Sequence, residues 1–203
     1  MSDNSDDRIY VINIESGTWE HVATMPASFD LAFYKGQAFA SGLNSTSWSD
    51  PNGIWALDLS GENDHQLVIA TGGYSAGLDI DGEGNVYYGT SFFSDNALLK
   101  WNASDVEAIL TNPNDTLKLS DAAVLTSLPA GAYDIDMDAS GNLAFNCNNF
   151  VLNFLGVWDG EDSYDTIATT DMFLTQLSTR KDVRSRDKGN QVLTMAYGTE
   201  IAE

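Results

Sequence analysis

"LDIDGEGNVYYG", residues 78–89, decides how the rest of the chain is read. Asp79, Asp81 and Glu83 alternate and Gly84 stands sixth, the spacing of a helix–loop–helix calcium loop. The flanks argue otherwise. Apolar residues alternate before the glycine and resume after it, which is a strand pattern. The stretch also recurs: Gly36-Gln37, Gly84-Asn85, Gly141-Asn142 and Gly189-Asn190 are separated by 48, 57 and 48 residues. In register, Asp79 corresponds to Leu31, Asp136 and Arg184, and Asp81 to Phe33, Asp138 and Arg186. Position twelve, where a calcium loop needs a bidentate Glu, is Thr90 in one copy and Cys147 in another. All four copies keep only the glycine, whose use is a positive φ in a tight hairpin turn. The stretch therefore reads as a β-hairpin. Weak calcium binding by its exposed carboxylates stays open, and no other cofactor is implied.

A second motif runs with its own phase. "NGIWALD" (52–58), "NALLKWN" (96–102) and "NFLGVWD" (153–159) begin with Asn and end with Asp or Asn, and "DRIYVIN" (7–13) fits the same frame. Asn or Asp at a strand end can bond its own backbone and start a turn. Fourth strands are expected at "TWEHVAT", "HQLVIAT", "VEAIL" and "YDTIATT". The unit is thus about fifty residues and four strands, with a polar insertion at "TNPNDTLKLSD" (111–121) and no helix of convincing length.

Composition sets outer limits. The 203 residues, 43% of them hydrophobic, suffice for one domain with a real core. No apolar run reaches the roughly 18 residues of a membrane helix, so no membrane insertion is expected. The acidic start "MSDNSDD" is no signal peptide. A formal net charge of −21 repels nucleic acid. One cysteine, Cys147, excludes an internal disulfide and a cysteine-ligated zinc, and the two histidines, His21 and His65, lie in strand-like stretches. Five of the nine basic residues crowd into "RKDVRSRDK" (180–188).

The unit size and the glycine turn point to a β-propeller. "GLDIDGEGNVYYGTS" resembles the repeat of NHL-type propellers and of the senescence-marker/gluconolactonase superfamily. Four blades are expected, at about 28–71, 75–127, 131–172, and 174–203 completed by 7–25, in one domain spanning 7–203 after a flexible 1–6. In that scheme residues 7–13 hydrogen-bond beside 191–199 and lock the ring. A fragment of a larger propeller would show the same permuted ends.

Loops joining second to third strands would line the channel mouth. They offer Trp48, Asp50, Phe92, Phe93, Asp95, Asn146, Asn148 and Asn149, aromatic faces beside amides and carboxylates. Asp79 and Asp136, with Arg184 on the fourth copy, are expected to form a charge network in the channel. The functional expectation is a non-enzymatic binding or scaffolding module for a protein or small polar ligand, in an extracytoplasmic or particle-associated setting. The alternative, implied by the resemblance, is a metal-dependent lactonase-like hydrolase. The nearest string to that family's Glu-Gly-Pro-x-Trp motif, "ESGTWE" (15–20), lacks the proline, so no metal ligand is assigned.

Overall fold

Four runs, QAFASG (37–42), GIWA (53–56), VYYG (86–89) and LAFNCN (143–148), offer no regular polar face. A strand built from any of them must be covered on both sides. In the computed structural model it is: apart from Gln37, every residue of these four strands is buried. The structure describes residues 7–43, 52–62, 64–73, 76–90, 96–149, 151–161 and 163–171, and the backbone of further strands at 2–3, 176–179 and 193–196.

The protein is all-β in architecture, with one α-helix and one short 3-10 turn, Leu119–Asp121, among the described residues. A first sheet holds β1 (Ser2–Asp3), β2 (Arg8–Asn13) and β3 (Thr18–Thr24). The next is an antiparallel meander of β4 (Asp30–Tyr34), β5 (Gln37–Gly42), β6 (Gly53–Ala56) and β7 (Gln66–Ala70). The third contains β8 (Leu78–Ile80), β9 (Val86–Gly89) and β10 (Ala97–Trp101). Helix α1 (Ala103–Thr111) follows, then β11 (Leu117–Lys118), which adds to β7 in parallel, and β12 (Ala123–Ser127), which completes the third sheet beside β10. The fourth sheet is β13 (Gly131–Met137), β14 (Leu143–Asn148), β15 (Asn153–Trp158) and β16 (Asp165–Thr169). Finally β17 (Gln176–Thr179) pairs with β18 (Leu193–Ala196). None of these sheets closes on itself.

The cores lie between successive sheets, and the two-residue period of a strand decides which side chain serves which core. Tyr88 and Leu99 point to the layer shared with Phe39, Ile54 and Val68, while Tyr87 and Leu98 point to the layer shared with Leu143, Phe145 and Phe154. Likewise Trp55 and Ala40 leave Phe39 and Ile54 and join Ile9, Ala23 and Met25 beneath the N-terminal hairpin. Helix α1 adds Val106 and Ile109, spaced i and i+3, to the first of these layers.

The glycine turns form as expected in three copies, with positive φ at Gly36, Gly84 and Gly141. The repeat is also metric. Three residues after each glycine, the second strand stands opposite the fifth residue of the Asn-led motif: Phe39↔Ala56, Tyr87↔Lys100 and Ala144↔Val157. The first Asn of each motif also accepts the N–H of the residue following the fourth strand, Thr71 to Asn52 at 3.1 Å, Leu128 to Asn96 at 2.8 Å and Thr170 to Asn153 at 3.0 Å.

Two expectations are corrected. The segment "VEAIL" is part of α1, and the fourth strand of its sheet is β12. The hairpin expected around Gly189 is not the one observed: β18 pairs with Gln176–Thr179, so Arg184 is not on the strand beside it and lies outside the described residues. Among the described residues β18 is paired with β17. The N-terminal residues turn back, with Asp3 opposite Arg8 and Ser2 opposite Ile9, and β2 is otherwise paired only with β3.

Candidate functional site

The opening loop can now be built from its atoms. Asp81 Oδ1 accepts the backbone N–H groups of Glu83 (2.9 Å), Gly84 (2.8 Å) and Asn85 (2.9 Å), and Oδ2 accepts Asn85 Nδ2 (2.7 Å) and the Tyr87 hydroxyl (3.1 Å). Asp138 repeats the arrangement, with Ser140 N at 2.6 Å, Asn142 N at 3.0 Å and Asn142 Nδ2 at 2.8 Å. The shared Asp-x-x-Gly-Asn box is a device for satisfying turn amides. Burial acts upward on Asp81, but the bonds from Asn85, Glu83 and Tyr87 together hold its carboxyl below the ordinary range. Asn85 also works at a distance, since its Oδ1 accepts the N–H of Ala103 at 3.0 Å and so caps the first turn of α1.

The first strands of three consecutive sheets, β4, β8 and β13, lie side by side. Asp30 and Asp79 hold them by the same device one sheet apart. One oxygen of each takes the next N–H of its own strand, Leu31 at 2.8 Å and Ile80 at 2.7 Å. The other takes an N–H of the following first strand, Leu78 at 2.8 Å and Met137 at 2.7 Å. At the entrance to these strands Phe29 and Tyr133 meet with ring centroids 5.9 Å apart at 54°. The residue leading into the first strand thus meets the third strand across the second. Ala76 and Gly77 make the room: a Cβ on Gly77 would lie 2.7 Å from Asp134 Cα.

Asp30 is the most perturbed group of this entrance. The residue as a whole is half-buried, yet its carboxyl is enclosed. Burial first, and then the charge of Asp134, push it well above the usual carboxylate range, against the pull of the Leu78 and Leu31 amides; Asp79 adds to the rise. Tyr133 is pushed up to about 12 by burial.

The residues expected at the mouth fall out as follows. Trp48, Asp50, Phe93, Asp95 and Arg184 lie outside the described residues, as does Phe92. Asp79 bridges strands as described, and Asp136 sits on β13 opposite Ala144. Asn146 is 1% exposed; its Oδ1 accepts Tyr133 N (2.9 Å) and Asp134 N (3.0 Å) at a bulge in β13, and its Nδ2 is buried with no hydrogen-bond partner among the described residues. Asn148 is 0% exposed, and with the Asn153 amide turned nitrogen-first, Asn153 donates to Asn148 Oδ1 (3.2 Å) and to the carbonyl of Asn149 (2.9 Å). Asn149 Oδ1 accepts Val151 N (2.8 Å) and Leu152 N (2.6 Å). These three asparagines shape loops and a bulge, and Asn146 does so directly behind Tyr133 and Asp134.

The remaining chemistry-bearing groups are engaged structurally. His65 Nδ1 accepts Asp58 N at 3.0 Å and its Nε2 faces the Thr24 carbonyl at 3.0 Å, which places the ring proton on Nε2. His21 Nε2 lies 3.1 Å from Thr24 Oγ1. Cys147 is fully buried and burial pushes its thiol up to about 12, far from a nucleophile's range. Among the described residues no three of His, Cys, Asp and Glu are placed so as to hold a metal ion.

Phe29, Asp30, Tyr133 and Asp134 did not stand out as site residues in the sequence, although a signal exists. Each sheet entrance opens on one dipeptide: Phe29-Asp30, Ala76-Gly77 and Tyr133-Asp134. Two aromatic–Asp pairs flank a small pair. The equivalence is hidden because the first hairpin turns in two residues, with Tyr34 opposite Gln37, and the other two in three. Compared with known proteins, the chain matches no family model and no curated protein.

Proposed function

We propose that this protein is a non-enzymatic binding module, built as a small β-propeller, which takes a small polar ligand or a protein segment at the entrance of its first strands. One observation carries the reading: Phe29-Asp30 and Tyr133-Asp134 face one another across Ala76-Gly77, an aromatic surface with carboxylates at its base. Exposed ring edges beside acceptors suit a sugar hydroxyl or an amine. The net charge of −21 favours a neutral or cationic ligand over an anionic one.

The propeller itself is supported by three meanders with one register and by their first strands standing side by side. It is supported also by the contact of the residue leading into the first of these strands with the third across the second, which fits a narrow ring of four units better than a wide one. The resemblance to NHL and gluconolactonase-like repeats agrees with this. In the closed ring β17–β18 supplies the first two strands of the last blade and β2–β3 the other two. The exposure of β2 supports this: Val11 is 53% exposed, whereas the corresponding third strand β6 is buried throughout.

A thermal-shift screen with neutral sugars, short basic and acidic peptides, and calcium tests the function. A ligand at a hundred times its Kd stabilises by about 2.7 kcal/mol, which for a domain of this size is about 5–10 °C in Tm. The expected result is such a shift with a sugar or a basic peptide, lost in Tyr133→Ala. Chelator-sensitive hydrolysis of a lactone, with no such shift, would replace this reading by the hydrolase.

A further inference from the structure

We propose that Asn146 is the recognition donor of the entrance, and that the ligand bound there presents a secondary-amide carbonyl, as a peptide bond or an acetamido sugar does; this rests on the binding role proposed above.

The repeat shows what this position does. Five residues after the turn glycine stand Ser41, Gly89 and Asn146, on the second strands β5, β9 and β14. The first two meet the following sheet. Ser41 donates its hydroxyl to the Ala76 carbonyl at 2.7 Å. Gly89 lies so close to the next unit that a Cβ on it would stand 2.7 Å from the Ala132 carbonyl oxygen. In both units the position faces a backbone carbonyl at the head of the next first strand.

Asn146 holds the same place one sheet later. Leu143, Phe145 and Cys147 serve the core shared with the third sheet. The two-residue period therefore turns Ala144 and Asn146 to the opposite face, and β17 runs beside β13 and β14. The amide is fixed in one orientation. The N–H groups of Tyr133 (2.9 Å) and Asp134 (3.0 Å) meet one end of it, so that end is the oxygen and the other is Nδ2. The residue is 1% exposed, and Nδ2 has no hydrogen-bond partner among the described residues. A buried donor is costly unless an acceptor reaches it. The acceptor that faces this position in the two earlier units is an amide carbonyl, and that is the class the fourth sheet selects. Tyr133, whose backbone the same side chain holds, supplies a ring of the entrance.

The side-chain NH2 resonances of Asn146 in the full chain read the site directly. N,N′-diacetylchitobiose and N-acetylalanine methylamide are the amide probes, one for each source, and cellobiose is the sugar without an amide. At least one amide probe is expected to move the Asn146 resonances saturably, and cellobiose to leave them in place. Asn146→Asp keeps an acceptor for Tyr133 and Asp134 but removes the donor. It is expected to weaken the bound probe by about tenfold, the loss of one hydrogen bond to a buried group. Resonances unmoved by both amide probes overturn the inference. So does cellobiose acting as strongly as they do, or a probe whose affinity Asn146→Asp leaves unchanged. A sugar or basic peptide that stabilises the protein without moving these resonances removes this inference alone, whereas no binding by any probe removes the binding role with it. If Asn146→Asp does not fold, the titration of the unmodified protein decides.

Discussion

Phe145→Ala is expected to remove about 4 kcal/mol of folding stability, in the upper part of the range for a fully buried aromatic. The reason is what surrounds the ring. Phe145 is fully buried, meets Phe154 edge-on at 6.1 Å and Tyr164 edge-on at 5.3 Å, and covers Gly156. A Cβ on Gly156 would lie 2.3 Å from Phe145 Cζ, so the glycine exists to receive the ring. Truncation therefore opens a cavity beside a residue with no side chain to move into it, which is the condition under which a cavity costs most. The converse is a coupling. Gly156→Ala alone is expected to cost about 2 kcal/mol through overpacking, whereas in the Phe145→Ala background it fills space and recovers about 1 kcal/mol. A double-mutant cycle by urea denaturation measures this; additive losses would show that the ring and the glycine are not in contact.

Gly84→Ala is the second large effect, at about 3 kcal/mol. Two costs combine. The residue has φ +99°, where a side chain is strained by about 1–2 kcal/mol. Its new Cβ would also lie 2.6 Å from Tyr34 Cζ, a ring fixed by donation of its hydroxyl to the Glu83 carbonyl at 2.7 Å. Gly141 isolates the first cost, since it has φ +89° and nothing within 4 Å of an added Cβ. Gly141→Ala should therefore cost only about 1–2 kcal/mol. Equal losses at the two positions would mean that Tyr34 does not rest on Gly84 and that the second and third sheets are not joined at this turn.

The hairpins were readable in the sequence because each is decided locally, by a glycine at positive φ between two apolar runs. The helix was not. "VEAIL" supplies β-branched residues and an alternation short enough to pass for a strand, while α1 is set from outside. Asn85, eighteen positions earlier, takes the first N–H, and Gln66 donates to the carbonyl of Ile109 at 2.7 Å. Local propensity carries no trace of either bond. The entrance was half legible. Asp79 stands out by its charge, and in the structure it accepts a backbone N–H from the neighbouring sheet. Asp30 makes the same two bonds in the first copy from a different register position, opposite Ser41, whereas Asp79 stands opposite Tyr87, so counting from the glycine does not bring the two together. Asn146, Asn148 and Asn149 read in the sequence as amides offered to a ligand, and the structure uses them to hold a bulge and a loop. A buried turn needs such donors and acceptors as much as a ligand does.

The central proposal is that the two half-sheets, β2–β3 and β17–β18, belong to one blade. The register common to the three complete sheets makes it specific. If the residue three after the glycine stands opposite the fifth motif residue, then Val192 faces Val11 and Leu193 faces Tyr10. Opposed residues in an antiparallel pair have Cα atoms about 4.5–5.5 Å apart, within reach of a disulfide. Buried Cys147 does not compete. Tyr10→Cys with Leu193→Cys, oxidised at low concentration, should give a cross-linked monomer of increased gel mobility, stabilised by about 5 kcal/mol if the chain-entropy estimate for so long a loop holds. No bridge, or bridges only between two molecules, would show that β18 does not lie beside β2 in one chain, and the four-bladed ring would have to be abandoned.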